Sequence, residues 1–82
     1  MYKNHAPDGR RNLCGHRAAA IRKGKTPKLS QRGLADLLQL AGLDVDKNAV
    51  QRIESGQRFV TDIELKVLAR VLEVTVEELL EE

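Results

Sequence analysis

Residues 29 to 56 read LSQRGLADLLQLAGLDVDKNAVQRIESG, and two periodic runs lie inside them. Ser30 is a good N-cap, because its hydroxyl can accept from the first free backbone amides of a helix. Leu34, Leu37, Leu38 and Ala41 then recur at helical spacing, and Gly42 supplies a left-handed stop. After the apolar pair Leu43 and Val45, Asp46 caps a second run in the same way. At about 100° per residue, Val50, Ile53 and Glu54 fall on one side of that second helix and Asn48, Gln51, Arg52 and Ser55 on the other. The stretch therefore reads as two short amphipathic helices joined by a turn.

The outward side of the second helix carries amide, guanidinium and hydroxyl groups. Amides and guanidiniums match the edges of adenine and guanine in the major groove. A polar outer face alone is what any surface helix shows; its position after a capped helix and a turn makes it a helix-turn-helix. At the positive end of the first helix, Gln31 and Arg32 are well placed for a phosphate. Ser30 has no acid or histidine in a context that would activate it as a nucleophile.

Working outward, residues 1 to 11 contain Pro7, Asp8 and Gly9 and no apolar period, which predicts a flexible arm. Lys3, Arg10 and Arg11 could let that arm reach along a DNA groove. Asn12 is placed to cap a first helix whose Leu13, Cys14, Ala18 and Ile21 share a side, ended by Gly24, Thr26 and Pro27. Beyond Gly56, residues 57 to 60 form a connection in which Phe59 is expected to anchor the core rather than stack on bases. Thr61-Asp62-Ile63-Glu64 and Thr75-Val76-Glu77-Glu78 both have capping-box form. The helices they start carry Ile63, Leu65, Val67, Leu68, Val71 and Leu72, then Val76, Leu79 and Leu80. The prediction is an all-α fold of five helices over residues 12 to 82.

Eighty-two residues with two aromatics, Tyr2 and Phe59, allow one small core of Leu, Val, Ile and Ala. The net charge of +2 conceals a gradient: residues 1 to 34 carry +8 and residues 61 to 82 carry −5. Such a dipole would turn its basic end toward a polyanion. Cys14 is the only cysteine, so no internal disulfide can form and a reducing, cytoplasmic setting is expected. No apolar run reaches the ~20 residues of a membrane span, and the N-terminus lacks the apolar stretch of a signal peptide. His5, Cys14 and His16 match no common zinc spacing, so no metal and no cofactor are expected. The Ser, His and carboxylate residues form no recognisable catalytic constellation, which excludes an enzyme.

The blocks Leu29-Ser30-Gln31, Leu34-Ala35-Asp36-Leu37-Leu38, residues 50 to 58 (VQRIESGQR) and residues 68 to 80 (LARVLEVTVEELL) resemble the bacterial and phage Cro/C1 (XRE-type) helix-turn-helix repressors. With the first helix added, the resemblance spans residues 12 to 80. It implies a lambda-repressor-like domain in which Gln31 binds phosphate. It also implies base reading by Lys47 and Asn48, with further contacts from Gln51 and Arg52. Ser55, Gln57 and Arg58 would grip the backbone. The family's pairing of an arginine late in the first helix with the glutamate ending the recognition helix points to Arg22 and Glu54, as a partly buried structural pair. Two features depart from the family pattern. The span Gln39 to Gln51 makes the turn longer than usual, and Gly33 stands where a glutamate often closes the capping box of the second helix.

These observations lead to a sequence-specific double-stranded DNA binder, a transcriptional regulator that represses by occupying an operator. The competing expectation is a protein-interaction module of the same fold, an antitoxin-like or anti-repressor subunit working through the last two helices. No small-molecule substrate is indicated. A homodimer stays open; if formed, its half-sites should lie about one helical turn, ~34 Å, apart.

Overall fold

The computed structural model describes residue 6 and residues 8 to 81; the readings that rest on Tyr2, Lys3, His5, Pro7 and Glu82 lie outside the described residues. Within them the elements are α1 (Gly15–Lys23), α2 (Gln31–Leu40), α3 (Lys47–Glu54), α4 (Asp62–Leu72) and α5 (Val76–Leu80), with no strand. Local chemistry sets their starts. The Ser30 hydroxyl accepts from Gly33 N at 2.9 Å and the Asp46 carboxylate from Ala49 N at 2.8 Å. Thr61 with Glu64 and Thr75 with Glu78 close full capping boxes.

Their ends are equally regular. At α2 the amide of Leu43 reaches back to Leu38 O, at α3 that of Gln57 reaches Arg52 O, and at α4 that of Val74 reaches Ala69 O, each at 2.9–3.0 Å. This reverse bond requires a left-handed residue just before it. Gly42 (φ 99°) and Gly56 (φ 81°) supply it twice, but at α4 the position is held by Glu73 at φ 62°. A side chain with a β-carbon costs about 1–2 kcal/mol in that conformation. Glu73→Gly is accordingly expected to raise the melting temperature by several degrees, read by calorimetry, since about 1 kcal/mol corresponds to ~4–8 °C in a domain of this size. An unchanged or lower value would show that Glu73 is not strained.

α1 packs against α3, α4 and α5, while α2 packs against α3 and α4. Leu34, Leu38, Val50, Leu72 and Leu79 are fully buried between them. The long α2–α3 connection is not loose. Val45 is buried, Leu43 packs against the core, and the Gln39 side chain donates to Val45 O at 2.7 Å.

Several side chains sit elsewhere than the sequence periodicity placed them. Cys14, not Asn12, holds the N-cap position of α1, and Leu13 lies half-exposed ahead of the helix. Asn12 still performs part of the capping, its Oδ1 accepting from Gly15 N at 2.8 Å. In α2 the inward direction runs through Leu34, Ala35 and Leu38, which leaves Leu37 exposed at the edge of the stripe. Phe59 is 49% exposed: the connection directs its neighbour Val60 into the core and so turns Phe59 outward. Ile63, in the first turn of α4, projects past the packed region and is 69% exposed.

Candidate nucleic-acid interface

Along α3 exposure alternates in pairs. Lys47 and Asn48 are exposed, Ala49 and Val50 buried, Gln51 and Arg52 exposed, Ile53 and Glu54 buried. A helix docked on one side shows this rhythm, because successive residues step about 100° and two in a row fall on one half of the circumference, the next two on the other. The side chains of Lys47, Asn48, Gln51 and Arg52 make no hydrogen bond or ion pair to any described residue. Their donors and acceptors are all available to solvent or to a ligand. Beside them, Arg32, Asp36 and Gln39 of α2 face Asp46, Lys47 and Asn48 across an open polar groove.

What fixes α3 lies on its other side. Arg22 Nε donates to Glu54 Oε2 at 2.7 Å and its NH2 to Oε1 at 3.0 Å, with both residues under a tenth exposed. The remaining NH1 donates to Leu29 O at 3.0 Å, and Gln31 Nε2 adds a 2.9 Å bond to Glu54 Oε1. One carboxylate thus ties together α1, the entry to α2 and the last residue of α3. Every polar atom of this buried set is satisfied, which a charged pair out of water requires.

The phosphate candidates from the sequence are placed unequally. Arg32 is exposed on the first turn of α2, and Ser55 and Gln57 are exposed just past α3. Gln31 is half-buried with its amide nitrogen turned to Glu54. Arg58 is occupied: its NH1 and NH2 donate to the two oxygens of Glu64 at 3.1 and 2.9 Å, and NH1 also reaches Phe59 O. The pairing holds the Glu64 carboxyl below, and the Arg58 guanidinium above, their ordinary pKa values. Glu64 also accepts from Thr61 N at 3.0 Å, so the α4 capping box and the Arg58 fork share one acid.

The basic gradient is partly spent inside the molecule. Arg17 donates to Glu78 O and lies 4.0 Å from Glu81, and Lys25 caps the end of α4 through Leu72 O at 2.7 Å. These two cations tether α1 and the turn after it to the acidic C-terminal helices. Burial raises the pKa of the Cys14 thiol and keeps it protonated. Among the described residues no group of three or more His, Cys, Asp and Glu could hold a metal ion, and no helix is long and apolar enough to cross a membrane.

Asn12 does more than cap a helix. The Asn12 amide, noted above as a cap, donates to Ile53 O at 3.1 Å and to Arg58 O at 2.7 Å, and so joins the start of α1 to the end of α3. Its partners lie 41 and 46 positions away. No local pattern reports such a contact.

Compared with known proteins, the chain matches a family model described as helix-turn-helix over residues 19–79. No curated protein and no solved structure matches it.

Proposed function

The chain belongs to the Cro/C1-type (XRE) helix-turn-helix family of DNA-binding regulators, and from that premise we propose that it represses transcription by occupying an operator through α3. The observation that carries this reading is the unpaired face of α3. Arg22, Glu54 and Glu64, on α1, α3 and α4, are engaged internally, yet the outward positions Lys47, Asn48, Gln51 and Arg52 of α3 keep every donor free. Lys47 and Asn48 at the start of the helix, with Gln51 and Arg52 one turn on, would address base edges. Arg32, Gln31, Ser55 and Gln57 would set register on the phosphates, which give affinity without sequence information. No step of bond making is involved.

Of the two last-helix leucines that a protein-interaction module would use, Leu79 is fully buried in the monomer core and Leu80 alone is partly exposed. That favours the DNA reading over the interaction module.

Selection from a random duplex pool, run with wild type and Asn48→Ala side by side, tests the proposal. Wild type should enrich one motif, and Asn48→Ala or Arg52→Ala should lose about 1–3 kcal/mol of binding and relax one base position. Should wild type enrich nothing, the operator reading falls; unchanged preference in both variants would remove those residues from base reading.

A further inference from the structure

The last turn of α3 is met by the chain's own N-terminal segment. Arg11 N donates to Gly56 O at 2.8 Å, the Asn12 amide holds Ile53 O and Arg58 O, and the aliphatic part of Arg10 lies over Gly56. These bonds fix the backbone of residues 10 to 12 along the connection that leaves α3. They deliver the Arg11 side chain to its surface, where the guanidinium sits 5.6 Å from the centre of the Phe59 ring. Arg11 is exposed and makes no ion pair to any described residue. The arginine that the linear sequence offers at this edge, Arg58, has its fork closed on Glu64.

We propose that Arg11 is a phosphate-binding residue, the cation that the α3–α4 connection presents to the DNA backbone beside Ser55 and Gln57. Phe59 serves as its platform, which accounts for an aromatic ring turned to the surface: stacking holds the flat guanidinium in place while its edge N–H groups stay open. Asn12 is then a positioning residue that sets the distance between this cation and the bases read by α3. Arg58 acts through Glu64 to shape the connection rather than to touch phosphate. The inference rests on the DNA-binding reading above.

The test is the salt dependence of binding to a mixed-sequence duplex, where phosphate contacts dominate. Each contact contributes about 0.9 to the slope of log affinity against log salt. R11Q is expected to lose about that much slope, so its deficit relative to wild type shrinks roughly 3.5-fold from about 50 to about 200 mM salt. R11K, which keeps the charge but not the flat group, should keep the wild-type slope, and so should R58Q. The melting temperature of R11Q should fall by no more than the few degrees that one exposed cation–π contact is worth. A wild-type slope in R11Q, a slope loss in R58Q instead, or a slope loss accompanied by a larger fall in melting temperature overturns the assignment. Wild type that binds the duplex without salt dependence, or not at all, overturns the DNA reading itself, an outcome visible before any variant is compared.

Discussion

Glu54→Ala is expected to lower the unfolding free energy by about 3–5 kcal/mol, measured by urea denaturation. The size follows from what stays behind. Arg22 would remain enclosed with two donors facing a void, and Gln31 would lose the acceptor of its amide. Domains of this kind hold about 5–15 kcal/mol in total, so a loss of that order leaves a large unfolded fraction at ambient temperature. The loss differs from the net contribution of the pair, because a buried ion pair has already given up the hydration of both charges. Replacing both partners by apolar residues, Arg22→Met with Glu54→Leu, should therefore recover much of the deficit. A Glu54→Ala variant that loses under about 1 kcal/mol with an unchanged denaturant slope would mean that water reaches the carboxylate.

Gly15→Ala should be destabilising although it raises helix propensity. An ordinary interior exchange of this kind gains about 1 kcal/mol. At Gly15 a β-carbon would run into the Ile53 carbonyl oxygen and come within 2.8 Å of Asn12 Oδ1. The first obstacle is backbone, so α1 and α3 must move apart, at a net cost of about 1–3 kcal/mol or more. Separating them also strains the Asn12 bonds to Ile53 O and Arg58 O, so DNA binding should fall further than stability alone explains. Gly24→Ala makes the control, because a β-carbon there meets nothing nearer than 3.5 Å. A gain in stability for Gly15→Ala would show that the two helices can separate freely.

Where a residue's role was set by neighbours within one turn, it was readable. Ser30, Asp46, Thr61 and Thr75 cap their helices through bonds three residues long, and Gly42 and Gly56 stop theirs within one turn. Four of the five helix starts followed from that punctuation, and the Cro/C1 resemblance from the residues of the matching blocks. Long-range relations were not readable. Whether Leu37 or Ala35 faces inward depends on the crossing of α2 with its partners, and either choice satisfies helical spacing. Hydrophobicity alone places Phe59 in the core, whereas the connection that carries it alternates sides and gives the interior to Val60. Counting charge by segment could not reveal that Arg17, Lys25 and Arg58 are committed to groups on α4 and α5.

Because the residues of α3 face solvent and core in alternating pairs, the vocabulary of DNA recognition is separable from the grammar of folding. On the base-reading role proposed for α3, a descendant sequence could exchange Lys47, Asn48, Gln51 and Arg52 and so change the DNA it prefers while Ala49, Val50, Ile53 and Glu54 continue to seat the helix. The fold would resist drift at Glu54, where Arg22 and Gln31 would have to change together with it, and tolerate drift at the exposed Arg52 and Ser55. Such a scaffold is suited to diversification by duplication, and the same four positions are where a library of altered regulators should be randomised.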